Sequence, residues 1–297
     1  MNYRTLGTST LSVSEISFGC MSLGNDYEST KKLLHLAIDR GINYFDTADV
    51  YQKGMNETVI GKALKEIRSN VILATKVGNQ WKSDGSGFDW NPTKAYILKA
   101  VEGSLLRLQT DYIDLYQLHG GTLDDPIDDI IEAFELLKQQ GKIRYYGISS
   151  IRPNVIREYV RRSSIVSVML QYSMLDRRPE ESCLDLLHQN KVGVLVRGAL
   201  AKGLIIDKPI APFLDYTVEE VTTLRKTIEA LQDGDQSPTS LAVQFALSHP
   251  AVCSAVIGIR TTQQLSDIIQ ASAVSNRPEI ISLLKESLRK NIYDQHR

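Results

Sequence analysis

Cysteine is scarce in this sequence, and the few cysteines are not spaced as metal ligands. Cys20, Cys183 and Cys253 lie far apart, and no CxxC or Cys/His spacing surrounds them. An odd number of widely separated cysteines is typical of reduced thiols in a cytosolic protein. We therefore expect neither a disulfide nor a metal site.

Long apolar runs and a strong charge of either sign are also absent. The N-terminal segment lacks the apolar region of a signal peptide, and no stretch approaches the roughly 20 apolar residues that span a bilayer. The formal net charge is −1, which provides no field to hold a polyanion. We expect a cytoplasmic protein that binds neither a membrane nor nucleic acid.

The composition that remains is that of a globular enzyme. Of the 297 residues, 42% are hydrophobic and 23% are charged, which supplies material for a large core. This length fits either one large α/β barrel or two smaller domains. Because no break in composition and no low-complexity segment divides the chain, residues 1–297 are interpreted as one domain.

Short β-branched or aromatic runs alternate with longer segments of helical period, after an N-terminal hairpin of residues 3–6 and 11–13. Eight such units predict an α/β fold, the closed parallel (β/α)8 TIM barrel. An open doubly wound sheet is the alternative, but the turn GCMSLG after the first unit does not fit GxGxxG. The predicted barrel strands are 15–18, 44–46, 71–76, 112–117, 145–149, 166–171, 194–197 and 255–257.

Helix start and stop signals support this count. Thr30 precedes KKLLHLAIDR and Gly41 ends it, while Thr93 precedes KAYILKAVEGSLLRL. The longest irregular stretches, 77–92 and 205–217, follow barrel strands and are candidate substrate loops. Further helices are predicted at 153–162, 180–189, 218–231, 239–248 and 262–273, with an extra C-terminal helix at 278–292 outside the barrel.

Four protic or ionisable side chains follow the predicted strands. Asp46 and Lys76 end the second and third strands, His119 comes just after the fourth, and Tyr51 lies in the loop that follows Asp46. Strand ends of a parallel barrel meet at one mouth, so these groups should lie together. Taken singly, each has an ordinary explanation as a turn, packing, surface or loop residue, and Asp49 is left as a structural or loop charge.

Together the four residues favour proton donation to a carbonyl oxygen. A tyrosine has an ordinary pKa near ~10, and the Lys76 ammonium should lower that of Tyr51 by on the order of two units. Asp46 would keep Lys76 charged and oriented, and His119 could donate a hydrogen bond to the same oxygen. This is what hydride delivery to an aldehyde or ketone requires.

Six segments of the sequence resemble the aldo-keto reductases, in that family's order and across nearly the whole chain. They are GINYFDTADVY, ILATK, LRLQTDYIDLYQLHG, GKIRYYGISS, MLQYSML and VIGIRTTQQLSDI. The resemblance implies a (β/α)8 barrel that reduces carbonyls with NADPH. It places the family's catalytic tetrad on Asp46, Tyr51, Lys76 and His119, with Tyr51 as the proton donor.

The resemblance also implies a cofactor site, with three departures from the family pattern. Ser150 replaces an asparagine that holds the carboxamide, Arg197 stands where many members stack an aromatic ring on the nicotinamide, and Ile268 replaces an adenine-binding asparagine. We hypothesise that the charge of Arg197 disfavours NADP⁺ relative to NADPH, and Arg260 is the candidate for the 2′-phosphate. The full set of matching positions is Gly19, Met21, Ser149, Ser150, Gln171, Arg197, Gly198, Leu200, Lys202, Gly203, Gly258, Arg260, Gln264 and Asp267.

The substrate is less defined than the cofactor. Met21, Trp81 and Trp90, beside Tyr51 and His119, are the candidates for a pocket that suits small aldehydes, dicarbonyls or aryl ketones. Both tryptophans could equally pack their loop upon itself. Because many members that resemble this chain are monomers, a monomer is expected.

Two other functions are weighed against a reductase. A regulatory subunit would keep the same barrel and tetrad and use the bound nucleotide as a redox signal, as the β subunits of potassium channels that resemble this family do. A barrel isomerase or lyase would use Lys76 as a Schiff-base nucleophile without any nicotinamide. The residues around Arg260 argue against the second of these.

Overall fold

Alternation of short buried strands with longer helices produces a closed parallel barrel. The computed structural model of the chain describes residues 1–24, 26–234, 236–274 and 277–297. Its strands are β1 (Tyr3–Thr5), β2 (Ser12–Ser14), β3 (Ile16–Gly19), β4 (Tyr44–Asp46), β5 (Ile72–Val77), β6 (Asn79–Trp81), β7 (Phe88–Trp90), β8 (Ile113–Leu118), β9 (Ile143–Ser149), β10 (Ser167–Gln171), β11 (Gly193–Arg197) and β12 (Val252–Gly258).

Eight of these strands form the barrel, in the order β3, β4, β5, β8, β9, β10, β11 and β12, and β12 pairs back to β3. Every pairing in this ring is parallel, from Phe18 opposite Phe45 to Ala255 opposite Ile16. The predicted (β/α)8 barrel and all eight of its predicted strands are therefore confirmed. The parallel arrangement brings the carboxyl ends of the strands to one face.

The helices pack around the outside of this barrel. They are α1 (Tyr27–Asp39), α2 (Met55–Leu64), α3 (Lys94–Leu108), α4 (Ile127–Gln139), α5 (Pro153–Arg162), α6 (Cys183–Gln189), α7 (Val218–Ala230), α8 (Pro238–Leu247), α9 (Thr262–Ala273) and α10 (Pro278–Glu286). Within the described ranges, none of these helices combines the length and apolar character needed to cross a membrane.

The N-terminal hairpin of β1 and β2 closes the end of the barrel opposite the strand carboxyl ends. Leu6, Leu11 and Val13 pack with inward-facing barrel residues such as Leu115 and Leu195 in one buried cluster. Burying a leucine of this kind contributes roughly 1.5–3 kcal/mol. The predicted hairpin is confirmed, and its apolar side chains fill the barrel interior at the end opposite the strand carboxyl ends.

The start of one helix differs from the predicted one because another residue caps it. Asp26, not Thr30, caps α1, since its carboxylate accepts the Ser29 backbone N–H at 2.9 Å. Thr30 lies buried inside the helix, where its hydroxyl donates to the Gly24 carbonyl. At α3 the prediction holds, because Thr93 caps the helix by accepting the Tyr96 N–H.

The prediction that the stretch 77–92 is irregular is wrong, because it contains the antiparallel pair β6 and β7. Two helices are also shorter than predicted. The region 180–189 begins as a 3-10 turn, Arg178–Glu181, before α6, and the C-terminal helix α10 ends at Glu286 rather than at residue 292. No buried run marks β6 and β7, which are half-buried or exposed, whereas the equally short β4 is buried throughout.

The contact between α2 and α3 gives a test of the packing. A Cβ at Gly61 would lie 2.4 Å from the Leu108 carbonyl carbon, which is backbone and cannot move aside. We expect Gly61→Ala to reduce the free energy of unfolding in urea by about 2–3 kcal/mol, despite the better helix propensity of alanine. Gly87→Ala is the control, because a Cβ there meets nothing within 4 Å. Equal stability of the two variants would contradict this packing.

Candidate active site

The ends of three neighbouring strands and one loop bring the predicted tetrad to a single cavity. Asp46 ends β4, Lys76 lies in β5, His119 follows β8, and Tyr51 begins a 3-10 turn after β4. All four side chains line a cavity of about 910 Å³ at the carboxyl end of the barrel. This volume lies in the upper part of the range of roughly 300–1,000 Å³ seen for ligand sites.

Lys76 and Asp46 form a buried ion pair inside the barrel. The Lys76 ammonium donates to Asp46 Oδ1 and, at 2.7 Å, to the Thr47 carbonyl. The Gln117 amide donates to Asp46 Oδ2 at 3.2 Å. Lys76 is only 1% exposed, so a lone charge could not be kept there. Each charge is kept because the other charge and one further polar group, the Thr47 carbonyl for Lys76 and the Gln117 amide for Asp46, bind it.

The pKa values of the pair reflect this compensation. Burial lowers the pKa of Lys76, but the Asp46 carboxylate and the Tyr51 phenol raise it above its ordinary value. Burial raises the pKa of Asp46 above its ordinary value, and the Lys76 ammonium and the Gln117 amide offset only part of that rise. The raised pKa of Lys76 and its hydrogen bond to Asp46 Oδ1 indicate an ammonium ion held by Asp46.

Tyr51 lies beside this ammonium, with Lys76 Nζ 5.3 Å from the centre of its ring. Burial raises the pKa of Tyr51 above its ordinary value, and the ammonium of Lys76 only partly offsets that rise. Lys76 does lower this pKa, as expected, but burial outweighs it and Asp46 adds to the rise, so the net shift is upward. Tyr51 is a neutral phenol, which is the state that can donate a proton.

His119 completes the group as a neutral imidazole. Its ring meets the Tyr51 ring edge-on, at 6.0 Å between ring centres. Burial, helped by the charges of Lys76 and Arg197, lowers the pKa of His119 to about 3. Its Nδ1 atom is buried without a hydrogen-bond partner among the described residues. A neutral ring of this kind offers one N–H donor and cannot act as a second charged acid.

Two side-chain hydrogen bonds hold the loop that follows β4. The Thr47 hydroxyl donates to Asn56 Oδ1 at 2.6 Å, and the Asn56 amide donates to the Cys20 carbonyl at 2.9 Å. Asn56 and Thr47 are both buried. These bonds connect the first turn of α2 to the loops after β3 and β4, and so fix the backbone on either side of Tyr51.

Many of the predicted cofactor and substrate residues line the same cavity. Arg197 crosses its wall and donates to Gln171 Oε1 at 3.1 Å. Gly198 follows with a φ of +74°, a left-handed conformation that glycine adopts without strain. The lining includes Gly19, Met21, Trp90, Ser149, Ser150, Gln171, Arg197, Gly198, Lys202 and Gly258.

The other predicted residues lie outside the cavity lining. Leu200 and Gly203 belong to the turn after β11, where the Gly203 N–H donates to the Leu200 carbonyl at 2.7 Å. Arg260, Gln264 and Asp267 stand at the start of α9, where the Arg260 N–H donates to Gln264 Oε1 at 2.9 Å. Ile268 is buried in the core. Trp81 turns its indole N–H to the Val50 carbonyl instead of facing the cavity.

The cavity has features that fit an anionic dinucleotide. Arg152, Arg197 and Lys202 line it, whereas Asp46, the one acidic residue in the lining that the described residues form, is already paired with Lys76. The Ser22 hydroxyl, also in the lining, is buried without a partner among the described residues. A cationic wall with unsatisfied polar atoms is what phosphate and amide groups need.

Sequence reasoning missed several residues of this site. Gln117 is the most informative, because it lies two residues before His119 and strand alternation places both on one face. Its register position opposite Lys76 follows from the pairing of β5 with β8. The remaining lining residues that were not predicted are Ser22, Gly120, Gly121, Thr122, Ile151, Arg152, Met169, Ala201, Phe213 and Val256.

A second buried carboxyl cluster lies behind the tetrad. Glu57 is fully buried, accepts the Thr75 hydroxyl at 2.6 Å and pairs with Arg107 at 2.7 Å. Asp49 is 8% exposed, and its Oδ1 has no hydrogen-bond partner among the described residues. Burial first, and then the charge of Glu57, raise the pKa of Asp49 to about 8. Asp49 is therefore a protonated carboxyl at neutral pH.

Comparison with known proteins gives a consistent result. The sequence model of the Aldo/keto reductase family matches residues 15–289. The chain is 49% identical to the uncharacterized oxidoreductase YqkF of Bacillus subtilis (strain 168), over 100% of both chains. It is 30% identical to the L-galactose dehydrogenase of Arabidopsis thaliana, over 90% of this chain and 87% of that one. The holo form of the aldo-keto reductase AKR11C1 from Bacillus halodurans superposes with a TM-score of 0.95, at 49% identity, covering 100% of this chain and 99% of that one.

The raised pKa of Asp49 gives a test by stability. The unfolded chain ionises this carboxyl above its ordinary pKa of 3.8, but the folded chain keeps it protonated up to about pH 8. The stability that it contributes is therefore complete at low pH and is lost as the pH rises towards 8. Asp49→Asn cannot ionise, so its advantage in free energy of unfolding over the wild type should grow by on the order of 3 kcal/mol between pH 5 and pH 8. Urea unfolding at both pH values measures it.

The control for this measurement is Asp89→Asn, which removes an exposed carboxylate. It should leave the pH dependence of the wild type unchanged. Parallel pH profiles for Asp49→Asn and the wild type would show that Asp49 is already ionised in the folded protein.

Proposed function

Because the chain belongs to the aldo/keto reductase family, we propose that it is an NADPH-dependent reductase that converts aldehydes or ketones to alcohols. One observation carries this proposal. A protonated Tyr51 stands beside the buried ammonium of Lys76, at a cavity that also exposes a neutral His119. The coarser statement, an oxidoreductase of this family, rests on the family match alone.

Tyr51 is the proposed general acid. Its phenol, kept protonated by burial, donates its proton to the carbonyl oxygen as that oxygen gains negative charge. Lys76 stabilises the phenolate that remains, because its ammonium stands 5.3 Å from the ring centre. Asp46 acts through Lys76, which it holds charged and oriented. The single N–H of neutral His119 can donate to the same carbonyl oxygen and align it.

The nicotinamide ring, when bound, supplies the hydride. Ser149, Ser150 and Gln171, at the ends of β9 and β10, are the groups we assign to its carboxamide. Arg197 would lie beside the nicotinamide and Lys202 would contact the phosphate-bearing part of the dinucleotide, since both cations line the cavity. A solved relative in a holo form supports cofactor binding at this fold.

NADPH rather than NADH is proposed because of Arg260. It begins the segment before α9 and is exposed, and a guanidinium there can bind a phosphate with two hydrogen bonds. Gln264 accepts the backbone N–H of Arg260 and so fixes the start of this segment. The buried position of Ile268 removes one adenine contact that other members of the family have.

The substrate end of the cavity is mixed in character. Met21, Trp90, Ile151 and Phe213 provide apolar surface within the cavity lining. This suits a small aldehyde, dicarbonyl or aryl ketone, for which one polar oxygen meets the acid and the remainder packs on apolar surface. Monomeric state and a cytoplasmic location complete the proposal.

Replacement of the proposed acid tests the reaction. Tyr51→Phe keeps the ring but cannot donate a proton, so we expect kcat for carbonyl reduction to fall by about 10³-fold while the Kd for NADPH is unchanged. The measurement is substrate-dependent loss of NADPH absorbance with a panel of aldehydes and dicarbonyls. Tyr3→Phe, at the other end of the barrel, is the control and should retain full activity.

Three results separate the hypotheses, two from that experiment and one from borohydride trapping. Turnover in the wild type and its loss in Tyr51→Phe support the reductase. Tight NADPH binding without turnover across the whole panel would favour the regulatory-subunit alternative. Trapping of a substrate on Lys76 by borohydride, without nicotinamide, would favour the Schiff-base alternative.

The charge of Arg197 gives a second test. A cation beside the nicotinamide should repel the positively charged oxidised ring and not the neutral reduced ring. We expect Arg197→Tyr to bind NADP⁺ about fivefold more tightly relative to NADPH than the wild type does, by fluorescence titration. Arg197→Lys keeps the charge and should keep the wild-type ratio. An unchanged ratio in Arg197→Tyr would contradict a role for the charge.

A further inference from the structure

The hairpin of β6 and β7 bridges the two loops that carry Tyr51 and His119. Its strands pair from Asn79 opposite Trp90 to Trp81 opposite Phe88. Its base is bound to α3, because the Tyr96 hydroxyl of that helix donates to the Asn79 carbonyl at 3.2 Å. The hairpin is therefore a fixed element between the two loops.

One side of the hairpin holds the Tyr51 loop. The indole N–H of Trp81 donates to the Val50 carbonyl at 3.2 Å, directly before Tyr51. Lys53 reaches back over the hairpin, with its ammonium 5.1 Å from the Trp81 ring centre and 3.4 Å from the Gly85 carbonyl. Trp81 is itself held by an edge-on contact with Phe88, at 5.8 Å between ring centres.

The segment that these contacts hold has a strained backbone. Gln52 and Lys53 both adopt left-handed conformations, with φ of 51° and 56°. Two successive non-glycine residues in this region cost about 1–2 kcal/mol each. Apart from the hairpin, the Gln52 amide also ties this segment, by donating to the Leu23 carbonyl at 2.9 Å. Without outside contacts the segment would relax and move Tyr51.

The other side of the hairpin holds the His119 loop. The Asn79 amide donates to the His119 carbonyl at 3.3 Å. The Trp90 ring lies so close to Gly120 that a Cβ there would be 3.3 Å away, and its indole N–H donates to Asp125 at 2.8 Å. Asp125 in turn accepts the Thr122 N–H at 2.6 Å.

We propose that this hairpin is a positioning element that sets the geometry between the proton donor and the histidine, with Trp81 as its positioning residue on the Tyr51 side. Trp81 was predicted to line the substrate pocket, but the cavity lining does not include it. It acts through the Val50 carbonyl, which also accepts the Lys53 N–H at 3.3 Å. The inference rests on the proposed function of Tyr51 as the acid.

A positioning role predicts a particular kinetic signature. Trp81 is not among the residues that line the cavity, so its loss should leave cofactor binding intact. Misplacement of a reacting group by about 1 Å can reduce a rate by about 10²-fold. Loss of one hydrogen bond to a strained loop should therefore lower kcat and leave the Kd for NADPH unchanged.

The experiment compares Trp81→Phe with the wild type and with Gln80→Ala. Phenylalanine keeps a ring beneath Lys53 but removes the N–H donor, whereas Gln80 is an exposed residue of the same strand that does not contact the Tyr51 loop. We expect Trp81→Phe to lower kcat about tenfold, with the Kd for NADPH within about twofold of the wild type. Gln80→Ala should match the wild type in both.

Hydrogen exchange gives a readout that needs no turnover. We expect backbone amides in the segment 50–54 to exchange about tenfold faster in Trp81→Phe, and those after His119 to be unchanged. Lys53→Met removes the second contact with the hairpin and should have the same effect. It replaces Trp81→Phe in the test if that variant folds poorly. Faster exchange together with lost kcat supports the positioning role.

Two results would overturn it. Unchanged exchange at 50–54 in both variants would show that the hairpin does not hold the loop. A rise in KM for the carbonyl with normal kcat would place Trp81 in the substrate pocket instead. If the wild type itself shows no turnover, the proposed reductase function fails, and faster exchange would still establish the structural connection.

Discussion

The ion pair between Lys76 and Asp46 is the interaction on which the rest of the site depends. Removal of two charges from water carries a penalty of several kcal/mol for each ion. The barrel offsets this penalty because β4 and β5 are adjacent parallel strands, whose ends place the ammonium against the carboxylate. The Thr47 carbonyl and the Gln117 amide satisfy the remaining hydrogen bonds. Without these partners, neither charge could persist at the centre of the fold.

The pair also determines the protonation of its neighbours. Burial is the largest influence on the pKa of Tyr51 and keeps its phenol protonated, while Lys76 lowers this pKa and Asp46 opposes Lys76. Burial likewise keeps His119 neutral, and nearby cations reinforce this. The site therefore presents neutral donors around a compensated charge, and the strained loop and the hairpin of β6 and β7 fix where those donors stand. The ion pair and the neutral donors supply the chemistry, and the loop and the hairpin fix the positions of those donors.

Sequence patterns were sufficient for the barrel strands and the N-terminal hairpin, and failed for the hairpin of β6 and β7. The eight barrel strands and the Thr93 cap were predictable, because buried runs and capping residues are local signals. Asp26 and Thr30 are both acceptable caps, and only packing decides that Thr30 is buried inside α1. The β6 and β7 strands are half-buried or exposed along their length, so no buried run marks them in the sequence. Strand alternation places Gln117 on the same face as His119, so this residue was predictable although it was not predicted.

The sequence by itself determined the order of the strands, and with it the convergence of Asp46, Lys76 and His119, because strand ends of a parallel barrel share one face. Only the tertiary structure decided the environment of each group. Burial reversed the expected shift in the pKa of Tyr51, and it left Asp49 protonated beside Glu57. Contacts between residues distant in sequence, such as Trp81 with Val50, moved a predicted pocket residue to the support of a loop. Such contacts depend on three-dimensional proximity, which no local pattern encodes.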